Sequence, residues 1–457
     1  MIVMKFGGTS IEDAPSIKRV VEIVRPRLHL KPVVVNSAMG KTTRKLLAIA
    51  QLSAAGMDGE AAAGLNEIRR YHFELSETLI SNFDKSDTRI RLEQYFEDLQ
   101  KLLGGLSILR ELTLRSQDKI LSYGELMATA IIASVFRERG INARLCDARD
   151  FIITNERFSQ AEPIKGLTYK HIYEHIHPII ESNSIPVIQG FIGSTRDGAT
   201  TTLGFEGSDF SASLVGSALN ASSIQIWKDV SGMMTADPSI FAGARTVKTI
   251  SFAEAEELTF FGAKILHPNT IEPARQKNIP VHIYNSKQPD AVGTIITAHP
   301  NHGTNLIKSI TYKKPVCIMY VKPDNSVSPY VFLKSVFDIL DRERITPYVI
   351  TTAEANVALA ISDTGNREHL AEDLEHFGKV SIIREKATIS LVGENLRTAN
   401  DLATIVFKNL NGLNIDMISF GASPINFTLV VDETDVPSII AKLHEIFFQD
   451  PDPEVFE

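Results

Sequence analysis

One stretch of the chain is written twice. Val336-Phe337, Leu340, Ile345, Asn356 and Leu359 are matched without a gap by Val406-Phe407, Leu410, Ile415, Asn426 and Leu429, an offset of about seventy residues. An internal period of this kind means that one supersecondary unit is used twice. Each copy reads strand, helix, strand, strand, helix, the first beginning at Cys317 to Lys322 and the second at Thr388 to Val392. Two small α+β modules are therefore expected, at 301–385 and 386–457. The second copy has no clear last strand of its own, so its sheet must be completed from elsewhere.

The first three hundred residues follow a different rule. Apolar runs at Ile2 to Met4, Val33 to Val35, Ile141 to Leu145, Pro186 to Gln189 and Ile224 to Trp227 alternate with segments of helical spacing such as Tyr169 to Glu181. Alternation of buried strands and helices predicts a mostly parallel sheet covered on both faces. Ala54 to Leu121 carries almost no strand signal and reads as a helical excursion that covers part of this layer. Sites in such folds collect at the carboxyl ends of the strands.

The loops at those ends carry the chemistry. Met4-Lys5-Phe6-Gly7-Gly8-Thr9-Ser10 brings a strand through two glycines toward a helical segment, Ile11 to Arg25. Glycines let backbone come close to an anion, and a helix that follows presents free N–H groups to it. Lys5 adds a mobile positive charge. Asn36-Ser37-Ala38-Met39-Gly40-Lys41-Thr42-Thr43 contains Gly-Lys-Thr but is no P-loop, because Val35 stands where the first glycine is needed. Its hydroxyls suit a ligand carboxylate or phosphate, or a helix cap. A helix is predicted to begin near Ser122-Tyr123-Gly124-Glu125, which puts Glu125 in a first turn, either as a dipole partner or as a ligand for an amine. Thr200 to Asp209 ends in Gly207-Ser208-Asp209, an anion nest with a carboxylate beside it, although Asp209 equally suits a plain helix cap. Trp227-Lys228-Asp229-Val230-Ser231-Gly232-Met233-Met234-Thr235-Ala236-Asp237-Pro238 is turn-rich with two carboxylates. In Phe261-Gly262-Ala263-Lys264-Ile265-Leu266-His267-Pro268, Lys264 is a better candidate than His267, whose place before proline suggests a structural contact.

Composition narrows the partners. Over 457 residues the net charge is −8, and no Lys/Arg block is long enough to follow a phosphate backbone, so nucleic acid is not expected. Two distant cysteines, Cys146 and Cys317, imply no disulfide framework. No leader is read ahead of the first strand and no apolar run looks long enough to cross a bilayer, so no membrane partner is expected and the cytoplasm is the expected location.

Taken together, the chain resembles the aspartate kinases of the amino-acid-kinase family, single-function form, with two C-terminal ACT modules. The resemblance rests on Lys5-Phe6-Gly7-Gly8-Thr9-Ser10, Ser37 to Thr43, Ser122-Tyr123-Gly124-Glu125, Gly207-Ser208-Asp209 and Phe261 to Pro268, five motifs in the family's order. It implies a three-layer αβα catalytic domain over 1–300 followed by ferredoxin-like ACT modules. It also implies phosphorylation of the β-carboxylate of aspartate by ATP with Mg²⁺, for lysine, threonine and methionine synthesis. A carboxylate of pKa about 3.9 is already a nucleophile at neutral pH, so such catalysis needs positioning and charge neutralisation, not a general base.

By this resemblance Lys5 and the Gly7-Gly8 backbone sit at the β/γ-phosphates with Thr9 and Ser10 beside them, and Asp209 orients Lys5. Glu125 holds the substrate ammonium. Ser37, Thr43, Gly207 and Ser208 hold its carboxylates or the loops around them, and Phe205 lines the substrate site. Lys228, Asp229, Met234, Asp237, Lys264 and Ile265 line the nucleotide site; no dedicated metal ligands are assigned. A homodimer or tetramer is implied, with lysine or threonine as the feedback ligand of the modules, at Pro323 to Val331 and Thr351 to Asn356.

The chain departs from the family pattern in places. Phe205-Glu206 stands where Arg-Gly is usual, which removes a guanidinium that would grip a substrate carboxylate; Arg149 and Arg196 are candidate replacements. Lys228-Asp229 replaces Thr-Asp, Met234 a tyrosine and Ser239 an arginine, while Ala353 and Ala355 replace serines near Glu354. Two other readings stay open: a related kinase with another acceptor such as glutamate, N-acetylglutamate, carbamate or a nucleotide, and a non-catalytic amino-acid sensor built on a degenerate kinase domain.

Overall fold

Five short strands, mostly buried except for β3, build the first layer: β1 (Ile2–Phe6), β2 (Pro32–Asn36), β3 (Ala143–Cys146), β4 (Ile185–Gln189) and β5 (Ser223–Lys228). The computed structural model describes residues 1–457 except 264, 267, 302, 324–327, 354–355 and 366, together with the side chains of 268 and 269. Lys264, His267, Glu354, Ala355 and the middle of the expected effector loop thus lie outside the described residues. The chain divides into two compact units, Met1–Gly232 with Leu266–Ala298, and Met233–Ile265 with His299–Glu457.

In the first unit the strands run in the order β3-β4-β2-β1-β5, continued by β6 (Val281–Asn285) and β7 (Thr294–Thr297). Every pair is parallel except β6 with β7. The period of two along β1 assigns the layers. Val3 and Ile224 face the helix Gly207–Ala218, where a Cβ on Gly216 would fall 2.7 Å from Ile224. The opposite face meets the helix Leu114–Glu138, to which Gln189 Nε2 donates at Thr129 Oγ1 over 2.7 Å. The fold is the expected three-layer αβα.

The excursion between β2 and β3 is helical, as its spacing predicts: Thr42–Ala54, Asp58–Leu79, Asp87–Leu109 and Leu114–Glu138. The last differs from expectation in two ways. It starts eight residues before Ser122, so Glu125 lies three turns in, beyond reach of the helix's positive end. It is also long and apolar enough to cross a membrane by composition, contrary to the sequence reading, but 89% of that window is buried inside the fold. Covering a sheet explains its apolarity.

A second correction concerns the opening motif. After β1, Gly8–Ser10 forms a single 3-10 turn and the helix begins only at Ala14, capped by Asp13, which accepts from Ser16 N at 2.7 Å. The helix's free N–H groups are therefore not presented at Gly7-Gly8.

The second unit holds the repeat. Its six-stranded sheet runs β9-β10-β8-β11-β13-β12, where β8 is Ser309–Pro323, β9 Val349–Ala353, β10 Asn356–Ser362, β11 Gly378–Val392, β12 Ile415–Phe420 and β13 Asn426–Asp432. The first strands of the two copies are far longer than the sequence suggests, fifteen residues each. Val316–Pro323 pairs with β10 and with the first half of β11, while Ser309–Lys313 pairs with Thr388–Val392 beside β13. The first module is closed by Gly378–Lys386, which follows its own second helix, and the second by Ser309–Lys313. The second copy is completed by residues that precede the first, which accounts for its missing strand. The faces turned away from the helices share a core of Val316, Ile318, Val349, Ala358, Ala360, Met417 and Val430.

Segment Met233–Ile265 belongs to this unit. Ile310 N donates to Thr235 O over 2.8 Å, Ser309 Oγ to Met234 O over 2.7 Å, and Thr235 Oγ1 meets His444 Nε2 at 2.9 Å. Lys308, only 1% exposed, bridges Glu254 at 3.1 Å and Glu394 at 3.4 Å; Glu254 also closes the capping box with Ser251. Removing one member of a buried ion pair strands the other charge. Lys308→Ala should destabilise this unit by about 3 kcal/mol, read as a fall in its urea midpoint by fluorescence. A midpoint equal to wild type would refute the role of the pair.

Candidate active site

The strand period that layers the fold also assembles the site. Lys5 shares the face of Val3, and Lys228 shares the face of Ile224 and Ile226 on the neighbouring parallel strand, in which Lys5 is level with Ile226. Both side chains therefore leave the sheet at its carboxyl edge on the side of the helix Gly207–Ala218. Asp209, in that helix's first turn, receives both: Lys5 Nζ lies 2.6 Å from Oδ1 and Lys228 Nζ 2.9 Å from Oδ2. Lys228 also reaches Glu206 Oε1 at 3.6 Å.

Asp209 is 1% exposed and is no helix cap; Glu206 occupies that position and makes no side-chain capping bond. Burial opposes the Asp209 charge, but the ammonium groups of Lys5 and Lys228 outweigh it and hold the carboxyl below its ordinary range. Burial likewise opposes the Lys228 charge, and Asp209 with Glu206 overcomes it, raising that ammonium above its usual value.

On the other face, Glu125 is buried. Its Oε1 accepts from Ala38 N at 3.1 Å and, weakly, from Thr43 Oγ1 at 3.5 Å, while the fully buried Oε2 has no hydrogen-bond partner among the described residues. Desolvation dominates and pushes its pKa up to about 8, against the pull of Ala38 N–H, its own N–H, Thr43 and Lys5. Gly124 makes the approach possible, since a Cβ there would stand 2.9 Å from Ala38 Cβ. Gly8 does the same between loops: its Cβ would fall 2.6 Å from Ala38 O. Ser37 N donates to Phe6 O and Gly7 N to Trp227 O, which joins the loops after β1, β2 and β5.

The structure thus brings together Lys5, Gly7, Gly8, Ser37, Thr43, Glu125, Gly207, Ser208, Asp209 and Lys228 in one unit. Gly190 leaves room for Ser208, whose Cβ would otherwise sit 2.5 Å away. Thr9 is half-buried beside Ser10, and Ser10 is committed to Ser286 Oγ at 2.7 Å and Trp227 O at 3.2 Å. Asp229 is exposed. Met234, Asp237 and Ile265 fall in the other unit, where Asp237 accepts from Ser239 N at 2.9 Å and from Tyr312. Phe205 is 81% exposed. Of the two arginines considered for the missing guanidinium, Arg149 is clamped by Asp147 through two nitrogens and Arg196 lies exposed on a turn.

Glu206 was absent from the sequence-based site. The signal was available: Glu206 and Lys228 both depart from the family pattern, with opposite charges.

Two cations and a bridging carboxylate at the ends of adjacent strands, with a lone buried carboxyl opposite, suit an anion delivered to an amine-bearing substrate. Comparison with known proteins agrees. Residues 1–285 match the model of the amino acid kinase family, and residues 389–447 match an ACT domain. The chain is 34% identical to the chloroplastic aspartokinase 2 of Arabidopsis thaliana, over 98% of this chain and 84% of that protein. The structure of E. coli aspartokinase III in complex with aspartate and ADP, in its R-state, superposes with a TM-score of 0.85 at 33% identity, covering 98% of this chain and all of that one. The T-state structure of the same enzyme with lysine and aspartate gives a TM-score of 0.83 at 33% identity, over 98% of this chain and 99% of that one. The chain belongs to the amino acid kinase family, as one of its aspartokinases.

Proposed function

We propose that this aspartate kinase transfers the γ-phosphoryl group of ATP to the β-carboxylate of L-aspartate at the cluster Lys5–Asp209–Lys228, with Glu125 holding the substrate ammonium. The carrying observation is the buried Asp209 between two lysines from adjacent strands. An oxygen of the β-carboxylate forms the new bond to phosphorus while the bond to ADP breaks, and no proton has to move. Negative charge that shifts onto the phosphoryl oxygens meets the two ammonium groups, which cost no reorganisation because Asp209 already holds them. Mg²⁺ bound with the nucleotide would add to this neutralisation. Gly7, Gly8 and Thr9 contribute backbone from a turn. Ser37, Thr43, Gly207 and Ser208 frame the substrate, with Phe205 at its rim. Asp229 belongs to the nucleotide side in this reading and Ser10 supports the turn from behind, while Met234, Asp237, Lys264 and Ile265 are nucleotide residues by the family resemblance alone.

A catalytic region over 1–300 and modules over 301–385 and 386–457 belong to the same reading. So do a cytoplasmic location, a place in lysine and threonine synthesis, and a homodimer or tetramer. Lysine is the first feedback ligand to test, because the T-state relative holds lysine; threonine is the second.

The test is a hydroxylamine trap with Mg-ATP and, separately, aspartate, glutamate and N-acetylglutamate. Hydroxamate from aspartate alone is the expected result. Product from another acid only would change the acceptor, and no product from protein that binds ATP would refute turnover.

A further inference from the structure

Glu206 holds a conformation that favours glycine, with φ +54° and ψ +23°. Nothing in helix capping explains an acid there, since its side chain makes no capping bond. Its carboxylate is instead directed at Lys228, and both side chains are only 16% exposed. The four charged groups alternate in sign along one line of contacts: Lys5 to Asp209 at 2.6 Å, Asp209 to Lys228 at 2.9 Å, and Lys228 to Glu206 at 3.6 Å. Each lysine ends a strand of a rigid parallel sheet, so their bases are fixed. What is free to vary is where the Lys228 ammonium points along its four-carbon stem. A single carboxylate shared by two ammonium groups would let them compete for it; a second carboxylate on the far side draws Lys228 outward and leaves Asp209 Oδ1 to Lys5.

The geometry points to Glu206 as a positioning residue that holds the Lys228 ammonium at a set distance from Lys5, making Lys228 a second cation on the transferring phosphoryl group. This rests on the phosphoryl-transfer reading given above. It also gives the glutamate a role on the phosphate side of the site.

A double-mutant cycle on the full chain tests this, using Glu206→Gln, Lys228→Met and the pair, read by aspartyl hydroxamate formation and by calorimetric affinity for Mg-AMPPNP. Glu206→Gln alone should lower kcat about five- to tenfold with the KM for aspartate within about twofold. In the Lys228→Met background the same change should shift kcat and nucleotide affinity less than about twofold, because the effect of Glu206 on the reaction passes through the Lys228 ammonium. Glu206→Gly should reproduce the kcat loss without lowering the unfolding temperature, which separates positioning from damage to the fold. Equal losses in both backgrounds, or a Glu206→Gln enzyme within twofold of wild type, overturn the proposal. Absence of any hydroxamate from the unmodified chain overturns the phosphoryl-transfer reading and this proposal with it; turnover with an additive cycle overturns this proposal alone.

Discussion

Lys5→Met should lower kcat about a thousandfold while the protein stays folded. The side chain is 5% exposed at the end of the innermost strand, and its ammonium is held 2.6 Å from a carboxylate that is itself buried. A charge placed this way is worth much more against developing negative charge than one in water, because neither solvent nor side chain has to reorganise. Methionine keeps most of the stem's volume, and Asp209 retains Lys228 at 2.9 Å, so the substitution does not strand a buried carboxylate. Single-turnover hydroxamate formation at saturating Mg-ATP and aspartate measures the step directly. Transfer within tenfold of wild type would show that Lys5 is not at the reacting phosphate.

The second large effect concerns Glu125, and it carries a sign that a structural role does not share. Glu125→Gln should raise the KM for aspartate about fiftyfold and that for ATP less than about threefold, the cost of losing a charge-assisted bond to an ammonium in a desolvated site. Its pKa is about 8 in the free protein because burial disfavours the carboxylate. At neutral pH the group is therefore protonated until an ammonium arrives, and binding must expel a proton. The KM for aspartate should fall as pH rises from 6 toward 8, then level off, and calorimetry in buffers of different ionisation enthalpy should show proton release near pH 7. The glutamine variant should lose both the slope and the release.

Linkage adds a check on stability. The folded pKa lies above the ordinary value of 4.5, so the stability associated with the neutral form is present below that value and is lost as pH rises toward 8. Glu125→Gln should accordingly unfold at a higher temperature than wild type at pH 8 and show little difference at pH 4.5. A variant that weakens aspartate binding and strengthens the fold marks a group kept for its chemistry. Equal effects on both substrates, or a KM insensitive to pH, would remove Glu125 from the ammonium site.

The order of strands and helices was legible because it depends on local patterning: β-branched runs, glycine pairs after strands, and apolar spacing along 54–121. The repeat was legible for the same reason, and with it the need for a borrowed strand. The opening motif pointed to Lys5, and the Gly207-Ser208-Asp209 loop to its partner. The reading of local patterning failed at two helix starts, where a capping residue set the boundary. The helix carrying Glu125 extends back to Leu114 because Thr113 caps it there, accepting from Ser116 N at 3.1 Å, and that moves the carboxylate from a dipole site to a desolvated one. The helix after the opening motif starts late because Asp13 caps it.

By itself the amino-acid sequence determined the sheet, the paired α+β modules and the loops that bear Lys5, Asp209 and Lys228. Only tertiary structure decided the electrical arrangement. Lys5 and Lys228 are more than two hundred residues apart, and they meet Asp209 because β1 and β5 are adjacent with matched side-chain phase. Glu206 joins them through a left-handed backbone angle, at a position where glycine is usual. The fusion of two strands into β8 and β11, and the grouping of Met233–Ile265 with the C-terminal unit, follow equally from pairing across long sequence separations. Coulomb energy and desolvation depend on distances in space, and a sequence carries those distances only through the fold it adopts.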